Sequence, residues 1–352
     1  MALRFDSSEW YSYIDSKKAG PERTAAYNKA IKKADESGDP YARLRLRASM
    51  VVMTPFYDDA AKILPCCAEF FSIAEEYPEA ADAEDIFAVA RGAVNLTVAL
   101  PQIEKSTCEE MLAKMEEAAY IVRSGAIRRF HEAAAEFYAY IDFSKAQEHF
   151  DIFEKEKMGL NSACTACEQS FKVWFAMQKG DMEEARKLAA KIFSGVYVCH
   201  DVPWQTYSFF LEHYMDTGEI DNNKKIVEKL LRDGCRDVSD IANLGSVLRC
   251  LSHINPNRGI RILEQYLHWS INLWNKQGLY YFYKGAWCVC EAAKDMGLSL
   301  FVPQGHPLEK SRISEMSDFA EWFHCQAEKI AENFDKRNGT DYYKRNLENC
   351  MK

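Results

Sequence analysis

"KGDMEEARKLAAKIF", residues 179–193, is followed 38 residues later by "TGEIDNNKKIVEKLL", residues 217–231. Both stretches start around a glycine at the end of one helical pattern and continue with apolar residues at three- and four-residue spacing. Glycine ends helices because it adopts the left-handed backbone conformation easily, and the spacing that follows places apolar residues on one helical face. Each stretch therefore predicts the corner of a helical hairpin and its second helix.

Weaker copies of the same corner lie on either side of this pair. They are "YIDFSKAQEHFDIF", residues 140–153, and "HINPNRGIRILEQY", residues 253–266. At spacings of 39, 38 and 36 residues, the turn positions of the four copies are Asp142, Asp181, Glu219 and Asn255. A repeat of this length is typical of stacked helical hairpins, because one hairpin buries its apolar stripe only against its neighbours.

The rest of the chain has the same helical character. It contains 352 residues, 48% of them hydrophobic, with only 16 glycines and 10 prolines. Apolar residues recur at three- and four-residue spacing almost throughout, whereas alternating runs typical of strands are nearly absent. The sequence therefore predicts an all-α protein with enough apolar material for a substantial core.

Charge and cysteine usage narrow the class of protein. The formal net charge is −9, and an acidic surface repels phosphate, so we expect no nucleic-acid partner. No run of about 18 apolar residues predicts a membrane span, and residues 1–13 lack the apolar core of a signal peptide. The twelve cysteines are therefore interpreted as reduced thiols of a cytoplasmic protein.

The four corners resemble the tetratricopeptide repeat (TPR). The small residue that this repeat has in its second helix corresponds to Ala146, Ala185, Asn223 and Gly259, of which only Asn223 departs from the pattern. Its two later apolar positions correspond to Phe150 and Phe153, Ala189 and Ile192, Val227 and Leu230, and Leu263 and Tyr266. The resemblance implies an α-solenoid of degenerate TPR-like helical hairpins with a concave groove.

A domain organisation follows from the repeat pattern. We expect degenerate helical hairpins over residues 1–104 and a TPR-like superhelix over residues 105–296. A linker over residues 297–310, which contains glycine and proline, would separate the superhelix from a pair of capping helices over residues 311–352.

A narrower resemblance covers roughly residues 157–270. The chain is similar there to a family of bacterial TPR proteins without an assigned function. The segments that carry the similarity are "CTACE" (164–168), "GDMEEARKLAAKIFSG" (180–195), "CHDVPWQTYSFFLEHYMDTGEID" (199–221) and "NPNRGIRILEQYLHWS" (255–270). The family commonly has a histidine after the proline of the third segment, whereas Trp204 follows Pro203 here. The resemblance implies a bacterial cytoplasmic repeat protein and transfers no activity.

The first helix of each repeat should line the concave groove. In this register, the predicted groove residues are Arg128, His131, Tyr138, Ser170, Trp174, Met177, Gln205, Ser208 and Glu212. Aromatic, sulfur-containing and polar side chains of this kind suit a surface that binds a peptide. The alternative is that Trp174 and Met177 belong to the core between helices.

A C-x-x-C spacing at Cys164 and Cys167 marks a second candidate site. Thr165 is the predicted N-cap of the helix that follows, and Asp201 is the predicted N-cap of the equivalent helix one repeat later. Because equivalent corners of stacked repeats lie side by side, a cluster is expected from Cys164, Cys167, Cys199 and His200.

Three thiolates and an imidazole would suit tetrahedral zinc, which would join two neighbouring repeats. Two alternatives stay open at this point. The thiols could carry out redox chemistry, although redox C-x-x-C motifs normally occur beside a βαβ unit that this chain lacks. They could instead be reduced cysteines packed at a repeat junction, which is the interpretation that the sequence favours, so we expect no cofactor and keep zinc as the alternative.

These patterns favour a protein–protein interaction module, a scaffold or adaptor that binds a protein segment in its groove. One alternative is an intracellular regulator that responds to a peptide or another ligand. A second is a zinc- or thiol-dependent protein that uses the C-x-x-C. We do not expect an enzyme, because phosphate-binding loops and hydrolase motifs are absent from the sequence. No pattern in the sequence indicates an oligomeric state.

Overall fold

The computed structural model describes residues 7–56, 58–218, 223–311 and 313–350. The chain is 77% helical, with 17 α-helices and no strand in these ranges. The predicted all-α class is therefore confirmed. No helix in the described ranges combines the length and the apolar character that crossing a bilayer requires.

The chain folds as two compact units, residues 1–162 (unit 1) and residues 163–352 (unit 2). The sequence pattern did not indicate this division, which falls inside the segment 105–296 that we expected to form one superhelix. The boundaries predicted at residues 104, 296 and 310 concern repeat organisation and stay predictions.

Unit 1 contains eight described helices, which pair mainly with their neighbours in sequence. Helix α5 packs on α6, and α7 packs on α8. Their bounds are α1 (Ser7–Asp15), α2 (Pro21–Ser37), α3 (Pro40–Met53), α4 (Leu64–Glu76), α5 (Ala83–Ala99), α6 (Lys105–Val122), α7 (Ala126–Ala139) and α8 (Phe143–Lys155).

Unit 2 contains nine described helices. Helix α9 packs on α10, α13 packs on both α14 and α15, and α15 packs on α16. Their bounds are α9 (Thr165–Gln178), α10 (Met182–Phe193), α11 (Trp204–Thr217), α12 (Asn223–Lys229), α13 (Ile241–Ile254), α14 (Pro256–Tyr266), α15 (Lys276–Ala293), α16 (Met316–Asn338) and α17 (Tyr342–Glu348).

The repeat spacing of the turn positions has a local cause in helix capping. Asp142, Asp181 and Asn255 are each the N-cap of a second helix, α8, α10 and α14 respectively. Each side chain accepts a hydrogen bond from a backbone N–H of the first turn, as at 3.0 Å from Glu184 to Asp181. The fourth turn position, Glu219, lies outside the described residues.

Small residues allow helices of unit 2 to approach closely. Ala185 is fully buried, and a Cβ on Gly259 would collide with Val289 of α15. Helices α13 and α15 meet even more tightly, since a Cβ on Gly285 would collide with the backbone of Gly245. Asn223, which departs from the pattern, is buried and donates its amide to the Met215 sulfur at 3.4 Å.

Candidate functional site

Three predicted groove residues lie on α7 in unit 1, where they contact the protein's own interior. Arg128 is buried, and its guanidinium donates to the backbone carbonyls of Phe153 and Glu156, the latter at 2.7 Å. The guanidinium also lies over the Phe153 ring, 4.0 Å from its centroid. Arg128 therefore ties α7 to the end of α8.

His131 forms a pair with His149, their Nδ1 atoms 2.9 Å apart, so one ring donates and the other accepts. Burial lowers the pKa of His131 to about 4, with a smaller contribution from His149, and burial also lowers the pKa of His149. The Tyr138 ring stacks on His149, and its hydroxyl donates to Glu109 at 3.3 Å. These contacts direct Tyr138 and one nitrogen of His131 towards the protein's own side chains, while the buried Nε2 of His131 makes no hydrogen bond with a described residue.

In unit 2, the predicted serines join the helices to one another. The hydroxyl groups of Ser170 on α9 and Thr206 on α11 lie 2.8 Å apart, within hydrogen-bonding distance. Ser208 on α11 donates to Ser246 on α13 at 3.0 Å. These two contacts join α9 to α11 and α11 to α13.

The remaining apolar and amide positions differ in exposure. Trp174 is buried, Met177 is half-buried against the core of unit 2, and Gln205 is exposed. Six of the nine predicted groove residues are thus buried, and they are Arg128, His131, Tyr138, Ser170, Trp174 and Ser208. As the protein stands, a partner does not reach these six side chains from solvent.

Glu212 belongs to a network of charges on α11, α13 and α15. It accepts hydrogen bonds from Lys284 at 2.7 Å and Arg249 at 2.8 Å, and Arg249 also donates to Asp216 at 2.6 Å. Burial alone would raise the pKa of Glu212, but the positive charges of Lys284 and Arg249 outweigh it and hold the pKa at about 2. Both cations are fully buried, with side chains 0% and 2% exposed.

This network also contacts α17, the last of the described helices. Lys284 donates to the side-chain amide oxygen of Asn346 on α17 at 3.0 Å, and Arg249 donates to the backbone carbonyl of Cys350 at 3.4 Å. We call the surface that receives α17 the hairpin face. It is formed by Gln178, Glu212, Arg249, Tyr280 and Lys284.

Two tyrosines extend the contact along α17. The Tyr342 hydroxyl donates to the side-chain oxygen of Gln178 at 3.2 Å, and the Tyr280 hydroxyl donates to the backbone carbonyl of Tyr343 at 2.8 Å. The hairpin face therefore recognises both side chains and the backbone of a short helical segment.

Sequence reasoning identified Glu212 but missed Arg249 and Lys284. A signal for Lys284 was present, because this lysine interrupts the apolar run "YYFYKGAWCVC", residues 280–290. A lysine among residues of that kind is almost never fully buried without a partner, so its position indicated a buried ion pair.

The C-x-x-C lies at the start of α9, as the sequence predicted, but the cap is displaced by one residue. Cys164, rather than Thr165, is the N-cap, and its sulfur accepts a hydrogen bond from the Cys167 N–H at 3.4 Å. Thr165 was expected in this position because hydroxyl side chains are preferred N-caps, yet here it is the first helical residue.

A third thiol reaches this helix end from the loop between α10 and α11. A turn in which the Cys199 N–H donates to the Val202 carbonyl at 3.0 Å holds Cys199 in place. Its sulfur lies 3.5 Å from that of Cys167, and the three sulfurs of Cys164, Cys167 and Cys199 all lie within 4.8 Å of one another. We call these three residues the thiol cluster.

His200, the fourth predicted ligand, is not part of the group. Its Nδ1 lies 2.9 Å from a carboxylate oxygen of Asp201 on the exposed surface, and its backbone carbonyl accepts from Arg236 at 2.6 Å. Asp201 is also not the N-cap predicted for α11. Pro203 occupies that position, and the helix begins at Trp204.

The pKa values of two thiols in the thiol cluster are shifted in opposite directions. Burial is the main cause that raises the pKa of Cys167, and hydrogen bonds with Cys164 and Cys199 raise it further. At Cys164 burial acts in the same direction, but the backbone N–H of Cys167 and the neighbouring thiols lower the pKa overall. The pKa of the exposed N-cap thiol is therefore lowered, as expected at a helix N-terminus, while that of Cys167 is raised.

Comparison with known proteins assigns this chain to no family. No protein-family model matches the sequence, and no curated protein matches it. The geometry of the hairpin face and the thiol cluster therefore carries the functional inference.

Proposed function

We propose that this protein is an interaction scaffold of TPR-like hairpins that binds a segment of a partner protein at the hairpin face. The observation that carries the proposal is that this face already holds a polypeptide segment, α17, through both its side chains and its backbone. A partner segment that presents the same groups as α17 would make the same hydrogen bonds to this surface.

The order of helix contacts supports a stacked arrangement of hairpins within unit 2. Helix α9 packs on α10, α11 packs on α12, and α13 packs on α14, while the first helices contact one another in the order α9, α11, α13 and α15. An α-solenoid has this pattern, because each hairpin contacts chiefly its neighbours.

The chemistry of the face restricts the segment that it accepts. Lys284 and Arg249 are buried cations, and a segment that displaced α17 would have to supply oxygen acceptors in place of Asn346 and the Cys350 carbonyl. Without such acceptors, both cations would lose hydrogen-bond partners at a cost of about 1–3 kcal/mol for each group. We therefore expect a helical segment with an amide or carboxylate side chain at its centre.

Supplying the segment in trans tests the proposal. A labelled peptide of residues 339–352 should bind a chain that ends at residue 338, and it should bind the full chain much more weakly, because there it competes with α17 for the hairpin face. An Asn346→Ala peptide should bind about tenfold more weakly, because the Lys284 hydrogen bond is lost. A Lys344→Ala peptide is the matched control, since Lys344 is exposed, and it should bind normally.

Fluorescence anisotropy gives the affinities, and circular dichroism checks that the shortened chain is folded. A folded shortened chain without saturable binding would show that the proposal is wrong. If that chain does not fold, a photo-crosslinking residue in the full chain replaces the measurement. Placed at Gln178, it should capture a partner that the same residue at exposed Lys187 on α10 does not capture.

The presence of α17 on the hairpin face favours a second candidate, a regulator that responds to a peptide. In such a protein, binding of the ligand would displace α17 and alter the hydrodynamic radius, whereas a scaffold would keep its shape. Analytical ultracentrifugation of the full chain with and without a binding peptide separates the two functions.

A further inference from the structure

The sulfur positions of the thiol cluster match the geometry of a tetrahedral metal site. Zinc–sulfur bonds of about 2.3 Å place the sulfurs of a tetrahedral site about 3.8 Å apart. The Cys167 and Cys199 sulfurs are 3.5 Å apart, and no pair in the cluster is separated by more than 4.8 Å. Side-chain shifts of about an ångström would bring all three sulfurs onto one ion.

The backbone holds these three residues in place from two directions. Cys164 and Cys167 are fixed by the first turn of α9, where the Cys167 N–H donates to the Cys164 sulfur. Cys199 is fixed by its own turn with Val202, in the loop before α11. An ion bound by all three would join this loop to the start of α9.

The local charge also suits such an ion. Three thiolates around a divalent cation carry a net charge of −1, and the N-terminus of a helix stabilises negative charge through its free N–H groups. Cys164 occupies the N-cap of a 14-residue helix, and it is exposed, so an ion can enter from solvent. In the described ranges, no other group of three cysteine, histidine or acidic side chains lies close enough to share an ion.

We propose that Cys164, Cys167 and Cys199 bind one zinc ion as thiolates, with the fourth position open to water or to an external ligand. Binding releases one proton from each thiol that was protonated, and no electrons are transferred. His200 is not assigned as the fourth ligand, because, among the described residues, the group of ligand atoms that lie within 4.8 Å of one another contains only the three cysteine sulfurs. This site is independent of segment binding at the hairpin face, so the failure of either proposal leaves the other intact.

Native mass spectrometry and elemental analysis of the full chain test the proposal. The chain is purified under reducing conditions without a polyhistidine tag or chelator. We expect one zinc per chain, which is lost on chelation and regained on adding zinc alone. The Cys199→Ser variant should lose the ion, whereas Cys325→Ser, at a half-buried cysteine of α16, should retain it.

The Cys164→Ser variant separates metal binding from folding. Serine is a preferred N-cap, so this change keeps the start of α9 while it removes one thiolate. We expect an unchanged circular dichroism spectrum together with loss of zinc. The His200→Ala variant should retain one zinc, and wild-type protein loaded with cobalt(II) should show thiolate-to-cobalt charge-transfer absorption.

Four results would overturn the assignment. They are a reduced wild-type chain that takes up no zinc, zinc retained by Cys164→Ser or Cys199→Ser, zinc lost from His200→Ala, and a Cys167–Cys199 disulfide in protein purified under reductant. The last result would identify a redox pair instead. The first result, accompanied by uptake of copper(I), would show that the thiol cluster binds another soft metal and not zinc.

Discussion

The thiol cluster and the Cys288–Cys350 pair both bring cysteine sulfurs together in unit 2, but in opposite environments. The Cys288 and Cys350 sulfurs are 2.8 Å apart and buried, whereas the thiol cluster lies at the surface with Cys164 exposed. A hydrogen bond between the buried pair lowers the pKa of Cys350 and raises that of Cys288, and burial raises the pKa of Cys288 further. Solvent access and a third sulfur, rather than spacing in the sequence, distinguish the thiol cluster from the packed pair, and the proposed zinc site rests on these two features.

The surroundings of the two groups differ in the same way. The thiol cluster sits at a helix N-terminus, where the charge is balanced by backbone N–H groups and solvent. The buried pair lies beside Arg249 and Lys284, whose charges are balanced by Glu212 and Asp216. We therefore expect the thiol cluster to react with alkylating reagents and metals in the folded chain. Changes around the Cys288–Cys350 pair should instead alter the free energy of unfolding.

The largest expected effect is on thiol reactivity. In the reduced, metal-free chain, iodoacetamide should alkylate Cys164 at least about a thousandfold faster than Cys288, because a core position reacts only after an opening that costs about 4 kcal/mol or more. Peptide mass spectrometry measures both rates, and denaturant should make them equal. Similar alkylation rates of Cys164 and Cys288 in the folded chain would contradict the expected difference in their exposure.

Next in size is the removal of a buried charge beside the Cys288–Cys350 pair. Lys284→Met should lower the free energy of unfolding by about 3 kcal/mol, because Glu212 and Asn346 lose a hydrogen-bonded cation in the protein interior. Urea denaturation measures the change. The control is Lys187→Met on the exposed face of α10, where a change within about 0.5 kcal/mol is expected.

A pH titration tests the same network without altering Lys284. The folded-state pKa of Glu212 is about 2, against an ordinary value of 4.5, so its contribution is complete above about pH 4.5 and is lost as the pH falls towards 2. The loss should approach about 3 kcal/mol for this carboxylate, whose side chain is 19% exposed. Urea midpoints measured across this range should fall less steeply in Glu212→Gln, and equal slopes would contradict the expectation.

The smallest expected change in the free energy of unfolding is at the thiol cluster. Without metal, Cys164→Ser should change the free energy of unfolding by no more than about 0.5 kcal/mol, since serine caps the helix as well as cysteine and the side chain is exposed. Thermal or urea melts in chelator measure it. A loss as large as that of Lys284→Met would mean that Cys164 is structural even without an ion.

Much of the local structure followed from sequence patterns. Three- and four-residue spacing predicts the helices because one turn places such residues on one face. The turn positions Asp142, Asp181 and Asn255 were recognisable for the same reason, since capping involves only neighbours in the chain. The convergence of Cys164, Cys167 and Cys199 also followed, because equivalent corners of adjacent hairpins lie close together.

The predicted groove residues show what sequence patterns do not predict, namely which group covers a given side chain. Helical periodicity places Ser170 and Ser208 on the inner side of their helices, but it does not tell whether a partner or another helix covers that side. In the structure, these hydroxyls meet Thr206 and Ser246 of the next helices. The direction of a single side chain, such as His200 turning to Asp201, depends on contacts of this kind.

The sequence by itself determined the all-α class, the N-caps at Asp142, Asp181 and Asn255, and the approach of three of the four residues predicted to cluster, because each rests on hydrogen bonds or packing between nearby parts of the chain. Only the tertiary structure decided that α17 covers the hairpin face and that Lys284 is paired. These contacts join residues far apart in the chain, 164 positions in the case of Tyr342 and Gln178. No local pattern encodes such a contact, because it depends on how all the intervening helices pack.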